Sequence, residues 1–318
     1  DTGSYALNGV ISGSIYGGIP NKITVLQGEE AVGKSYYCLE VAKNFLEMNE
    51  NNQVIFFETE GALTNDFLLS RGVDLERFAV LPVATVETFR TQAMQILEAY
   101  RKKKDQGKII MFLDSLGNLS TKKEVEDVTA GNDKRDMTRA QLVKGAFRVL
   151  SLELGFLDVP LVCTNHVYDV IGSFFPTKTG AGGSGPKYSA STILNLTKAK
   201  LKKSSADTEV VGSIVSCSTV KSRFTKPNTK AKTAINFNTG LDRYYGLIPL
   251  AEGAGVFTKE GKKFNTGDGK AVFESKILKT PETYFTKEVL DRINIYVGEC
   301  FKYGSTDVIP PEDDDVVE

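Results

Sequence analysis

The chain has 318 residues, with 39 Lys+Arg against 40 Asp+Glu for a formal charge of −1, and 41% of its residues are hydrophobic. That composition supplies a core and excludes whole-chain disorder and a simple polycation, and the length suits one large α/β domain with appendages or about two domains. No run reaches the roughly 18 apolar residues of a spanning helix, and the opening Asp1-Thr2-Gly3-Ser4 is no secretory signal, so a cytoplasmic protein without a membrane partner is expected. A chain that opens on Asp1 instead of Met is expected to be a processed or truncated form of something longer.

The charge is unevenly spread. Residues 311–318 carry Glu312, Asp313, Asp314, Asp315 and Glu318 with no base, so the other 310 residues sum to +4. Such a tail is ordinarily just solvated; on a basic body it can also compete with a polyanionic ligand. Cys38, Cys163, Cys217 and Cys300 are scattered and His166 is the single histidine, which leaves no zinc spacing and makes buried free thiols the expectation.

Short apolar runs at Ile23–Leu26, Val54–Phe57, Phe78–Leu81, Ile109–Leu113 and Leu161–Thr164 lack alternation, as strands buried on both faces do. Between them, apolar residues three and four apart predict helices over 35–48, 63–71, 86–103 and 139–154. Strands alternating with helices in this way imply crossover units and a mostly parallel sheet. After about Ser189, runs at 193–200, 213–220 and 233–237, separated by Lys-rich turns, read as antiparallel additions. From about 247 a small α/β region follows, ending in a helix over 285–303. The division expected is 1–248, 249–310 and the tail 311–318.

The first run leads into Gly28-Glu29-Glu30-Ala31-Val32-Gly33-Lys34-Ser35-Tyr36. Two glycines with four residues between them, then Lys and Ser, between a strand and a helix, form a P-loop: backbone N–H groups curl around phosphates, Lys34 reaches the terminal phosphates and Ser35 ligates Mg²⁺. Ile109–Leu113 ends in Asp114, a second magnesium partner; alone, such an Asp is as often a helix cap. Glu58 and Glu60 follow the second strand on one strand face, and one of them, with Glu60 the candidate, is suited to activate water. His166 closes another strand, as a satisfied polar residue or as a sensor of the γ-phosphate.

Two long polar segments leave the same sheet edge. The segment 117–138 carries Lys122, Lys123, Lys134 and Arg135, reads as a solvated loop by charge alone, and leads to Arg139; on this sheet edge these five cations are candidate nucleic-acid contacts. The other, opened by His166, holds Phe174, Phe175, Lys178, Gly182, Gly183 and Lys187, and aromatic rings among glycines and lysines suit a single nucleic-acid strand. Nine Lys/Arg fall in 198–232 against Asp207 and Glu209. Most protect strand edges, whereas Lys221 and Arg223, with one residue between them, share a face that can reach a neighbouring subunit's nucleotide.

Asp1-Thr2-Gly3-Ser4, the P-loop, Phe57-Glu58-Thr59-Glu60, Phe112-Leu113-Asp114-Ser115-Leu116-Gly117-Asn118-Leu119, Asp136-Met137-Thr138-Arg139-Ala140, Thr164-Asn165-His166, Gly183-Ser184-Gly185-Pro186-Lys187-Tyr188-Ser189-Ala190 and Lys221-Ser222-Arg223 occur in the order found in RecA-family strand-exchange recombinases. The run from Phe112 to Glu126, and Asn-His at 165–166, resemble the phage UvsX-type members. The likeness extends from Asp1 to about Gly255. It implies a RecA-like P-loop ATPase core with a small C-terminal α/β region, using ATP and Mg²⁺. It further implies a helical filament on single-stranded DNA, pairing with duplex DNA, and single-strand-binding and mediator proteins as partners.

By position the likeness makes Glu60 the water-activating residue, with Lys34 and His166 also catalytic and His166 coupling the γ-phosphate to the second DNA segment. It makes 117–138 and 167–187 DNA segments, and Lys221 and Arg223 a pair acting on the next subunit's ATP. Glu29 and Glu30 depart from the family's usual Pro and small or polar residues, which implies weaker nucleotide affinity. The family's polymerisation segment precedes the residues matched here, so inefficient assembly is expected. A ring helicase on the same core and a nucleotide-gated scaffold are the alternatives.

Overall fold

A computed structural model describes residues 1–103, 107–132, 138–169, 178–180, 185–202, 209–267 and 269–304. The chain forms two compact units, one of Pro20–Thr197 and one of Asp1–Ile19 with Lys198–Glu318. This grouping differs from a division near 249 because it follows packing and not the change of sequence pattern. Helix α1 (Tyr5–Ser12) buries Ala6, Leu7, Val10 and Ile11 among elements from the C-terminal part of the chain.

In the unit 20–197 the strands are β1 (Ile23–Gly28), β2 (Gln53–Glu58), β3 (Phe78–Pro82), β4 (Ile109–Asp114), β5 (Leu161–Asp169) and β7 (Thr192–Lys202), whose last residues enter the other unit. Their order β7-β1-β5-β4-β2-β3 is parallel throughout. All six residues of β4 are buried, which explains the absence of alternation in Ile109–Asp114. Helices α2 (Lys34–Met48), α3 (Asn65–Ser70), α4 (Val86–Lys102) and α6 (Arg139–Phe156) make the crossovers.

On one sheet face Phe56 stacks between Phe78 and Phe112, with centroids 5.6 and 5.5 Å away. On the other, Phe57 meets Phe89 of α4 edge-on at 5.0 Å within a cluster that takes in Leu97, Met111, Leu113, Val143, Phe147 and Leu150. The spacing of Val86, Phe89, Ala93 and Leu97 gives α4 its buried stripe, and the Thr85 side chain caps it by accepting from the Thr88 N–H.

Two expectations are corrected. Strand β5 does not stop at Thr164: it runs to Asp169, because residues 165–166 continue the pairing with β1 and 167–169 pair antiparallel with β6 (Lys178–Gly180). The segment after His166 therefore contains β6 and the short helix α7 (Gly185–Ser189). The segment 117–138 is likewise not all loop: a 3₁₀ turn, Leu116–Asn118, precedes α5 (Lys122–Thr129). Thr121 and Glu124 form a reciprocal capping box that starts α5, although none of its residues is buried.

In the other unit α1 is capped by Ser4 and ends at Gly13, whose φ of 70° is left-handed. Strands β8 (Val210–Ser222), β9 (Lys230–Asn236) and β10 (Gly240–Leu241) are antiparallel. Helix α8 (Leu247–Gly253) leads to the three-stranded sheet β11 (Thr258–Glu260), β12 (Lys263–Asn265) and β13 (Ala271–Phe273). Helices α9 (Glu274–Lys279), α10 (Pro281–Tyr284) and α11 (Lys287–Phe301) follow. The helix predicted from 285 starts later, because Phe285 is drawn into contact with Tyr244 and Phe257 and Thr286 caps α11. All four cysteines are buried thiols outside any disulfide. Among the described residues no helix is long and apolar enough to cross a membrane.

Candidate nucleotide-binding site

Parallel register brings the predicted residues to one sheet edge: Gly28 stands beside His166, and Glu58 beside Asp114. The turn after β1 needs its glycines. A Cβ on Gly28 would lie 2.7 Å from the Leu196 carbonyl oxygen, and Gly33, which starts α2, has φ 99°. Ala31 also adopts a positive φ, 57°. Lys34 is the first residue of α2 and only 6% exposed; its Nζ donates to the carbonyls of Gly28 (3.0 Å) and Glu29 (2.7 Å). Burial lowers its pKa, and the charges of Asp114, Glu60 and Glu30 offset part of that shift. Glu29, Glu30 and Ser35 are exposed and Gly28 and Val32 buried. One turn on, burial and then the Asp114 charge push the pKa of the Cys38 thiol well above its ordinary range.

Asp114 ends β4, 8% exposed, and its Oδ1 accepts from the Thr164 hydroxyl. The Asp114–Ser115 peptide is cis. Thr59 holds this junction: its Oγ1 donates to the Asp114 carbonyl (3.1 Å) and accepts from the Ser115 N–H (2.9 Å).

The two glutamates now separate. They do not share a strand face, because β2 ends at Glu58 and Glu60 lies in the bend that follows. Glu58, 6% exposed, accepts from the backbone N–H groups of Glu60 (2.9 Å), Gly61 (2.6 Å) and Ala62 (3.2 Å), which closes the turn. Glu60 is exposed, and its Oε1 accepts from Asn118 Nδ2 at 2.6 Å. Glu58 is spent on the backbone, whereas Glu60 is presented.

These groups border a cavity of about 920 Å³, of a size that suits a nucleotide. Its polar part holds the loop from Glu29 to Ser35, Asp114, Glu60, Asn118 and His166; Ala62, Leu63, Phe67, Leu39 and Tyr36 supply an apolar part. Arg71 lies 5.0 Å from the Tyr36 ring centroid and 5.3 Å from that of Phe67, tying the two rings together. Burial, then the Glu40 carboxylate, raises the Tyr36 phenol pKa. The Ser35 hydroxyl and the Asp114 carboxylate are hard oxygen donors bordering the same cavity, a set that fits Mg²⁺. The sequence reading does not single out Phe67, Ala62 and Leu63 as site residues, and takes Asn118 only as part of the motif 112–119 and the segment 117–138; for the first three the available signal is nearness to Glu60 in the chain.

The predicted nucleic-acid residues divide into described and undescribed ones. Arg139 is not presented outward as a phosphate ligand: its guanidinium donates to the carbonyls of Leu119 (2.5 Å), Gly117 (2.7 Å) and Leu116 (3.1 Å). Lys122 and Lys123 are exposed in the first turn of α5. Lys134, Arg135, Phe174, Phe175, Gly182, Gly183 and the tail 311–318 lie outside the described residues, as do the side chains of Lys178 and Lys187 on β6 and α7. Lys221 and Arg223 belong to the unit that includes 198–318, at the end of β8; burial, then Arg223, lowers the Lys221 pKa.

Residues 1–242 match the family described as the RecA N-terminal domain. The chain is 32% identical over 253 residues to the recombination and repair protein of Enterobacteria phage T4, covering 80% of this chain and 63% of that protein. It is 26% identical over 305 residues to protein RecA of Clavibacter michiganensis, covering 93% and 79%. To protein RecA of Paenarthrobacter aurescens it is 27% identical over 271 residues, covering 84% and 73%. The chain thus spans less than two thirds of the phage relative's length.

Proposed function

The chain belongs to the RecA family, and from that premise we propose that it is a recombination protein that hydrolyses ATP when bound to DNA, forms a helical filament on single-stranded DNA and pairs that strand with homologous duplex. The observation that carries this reading is the single cavity in which the phosphate-cradling turn, Lys34, Asp114 and Glu60 meet, with Asn118 entering it from the head of the segment 117–138.

In this reading the N–H groups from Glu29 to Ser35 and the start of α2 hold the β- and γ-phosphates. Lys34 turns from its two carbonyls to the terminal phosphates, where its charge is stabilised. The apolar part of the cavity, with Phe67, takes the base. Ser35 and Asp114 would hold Mg²⁺, directly or through water, and the bound ion would neutralise developing phosphate charge. Glu60 accepts the proton of the attacking water, and His166, paired with Gly28 at the foot of the loop, reports the γ-phosphate to the segment that follows. Lys122, Lys123, Lys134, Arg135, Phe174, Phe175, Lys178, Gly182, Gly183 and Lys187 supply the DNA surface, and Lys221 and Arg223 reach the ATP of the next subunit. Single-strand-binding and mediator proteins are the expected partners, in the cytoplasm of a bacterial host.

Single-strand affinity measured by fluorescence anisotropy with ATP, a slowly hydrolysed analogue or ADP tests this, together with pairing of homologous strands. Tighter binding with the triphosphate and homology-dependent pairing are expected. Equal binding with every nucleotide, or no pairing, would refute it.

A further inference from the structure

The 3₁₀ turn Leu116–Asn118 is fixed on several sides. Leu116 is fully buried and Leu119 is 1% exposed. Ser120 exchanges backbone hydrogen bonds with the strand-to-helix turn before α4, donating to Ala84 O (2.9 Å) and accepting from Val86 N (3.0 Å). Arg139, the first residue of α6, donates to three carbonyls of the turn and its continuation. The start and the end of the segment 117–138 are thus tied together by one guanidinium.

From this fixed turn Asn118 reaches Glu60. An ionised carboxylate only accepts hydrogen bonds, so the amide nitrogen of Asn118 must face it, and the 2.6 Å contact is charge-assisted. With Oε1 held in this way, the other oxygen of Glu60 has a defined direction. A group held by a rigid neighbour loses less freedom on reaching its reactive geometry.

We propose that Asn118 is a positioning residue: it aims the Glu60 carboxylate at the attacking water, and because its turn is the head of the segment 117–138, it makes that aim depend on what the segment binds. This rests on the reading of Glu60 as the base. It deepens that reading by giving DNA a route to the base through the first segment, separate from the route through His166. Strand binding along the segment stiffens this turn further and so sharpens the aim of Glu60.

The test is steady-state ATP hydrolysis with and without single-stranded DNA for the wild-type chain, Asn118→Ala, Asn118→Asp, Glu60→Gln and the Asn118→Ala/Glu60→Gln double variant. Asn118→Ala is expected to lower the DNA-stimulated kcat about tenfold, the scale of one charge-assisted hydrogen bond. KM for ATP, single-strand affinity and the denaturation midpoint should stay within about twofold or unshifted. Asn118→Asp keeps the size but presents only acceptors, and should lose at least as much. Asn118→Ala should add nothing in the Glu60→Gln background. An unchanged kcat in Asn118→Ala, a wild-type rate in Asn118→Asp, or a joint fall of kcat, KM and midpoint would overturn the proposal. If Glu60→Gln hydrolyses ATP normally, the assignment of the base falls and this proposal with it. If Glu60→Gln is inactive while Asn118→Ala keeps the full rate, only the positioning role falls.

Discussion

Exchanging Glu58 and Glu60 for glutamine, one at a time, separates a structural carboxylate from a chemical one two residues away. Glu58 accepts three backbone N–H groups while 6% exposed. Glutamine retains one carbonyl oxygen, which can keep the two bonds from Glu60 and Ala62, but sets an NH₂ against the Gly61 N–H. Losing one charge-assisted bond and leaving its donor unpaired costs about 2–3 kcal/mol, and kcat should fall as well because this turn carries Glu60. Glu60→Gln changes an exposed side chain, so stability should move by no more than about 0.5 kcal/mol. Removing a general base lowers kcat by roughly 10²–10⁴-fold, with nucleotide binding retained. Urea denaturation and single-turnover ATP hydrolysis read both effects. Glu58→Gln with wild-type stability, or Glu60→Gln with wild-type hydrolysis, would refute the division of roles.

Phe56→Ala should destabilise the chain by about 3–5 kcal/mol in denaturant titrations, because the ring is fully buried between Phe78 and Phe112. Phe67→Ala should raise the dissociation constant for ATP several-fold in equilibrium titrations, as loss of one aromatic contact of about 0.5–1.5 kcal/mol implies, with inorganic triphosphate binding unaffected. Lys34 must be cationic to hold phosphate, and burial lowers its pKa from 10.5. Nucleotide affinity should therefore fall as pH rises through that lowered pKa, before an ordinary lysine would discharge, with binding in that range taking up a proton; isothermal titration in buffers of different ionisation enthalpy detects this. Removing 311–318 should tighten duplex binding most at low salt, where the five acids act furthest, as measured by anisotropy across a salt series.

The parallel core was legible because Ile23–Leu26, Val54–Phe57 and Ile109–Leu113 are covered on both faces, which leaves an uninterrupted apolar run. The P-loop was legible because its glycines answer a backbone demand: Gly28 by close approach, Gly33 by its φ. Helix α5 was missed because it buries nothing, so hydrophobic periodicity carries no signal, although Thr121 and Glu124 spell its capping box. For Arg139, charge patterning shows a cation but not the carbonyls that its guanidinium holds. Glu58 and Glu60 stayed ambiguous because strand alternation cannot say where a strand ends; the difference lies in a three-residue turn. The grouping of α1 with the C-terminal elements rests on contacts between distant parts of the chain, which local pattern does not encode.

The most direct measurement is the steady-state rate of ATP hydrolysis with Mg²⁺, in the absence and presence of saturating single-stranded DNA, for the wild-type chain and Glu60→Gln side by side. The account predicts a low rate for the free chain, a marked increase with the single strand, and loss of that increase in Glu60→Gln. A wild-type rate that ignores the strand, or a Glu60→Gln variant that is stimulated as well as the wild type, would contradict it.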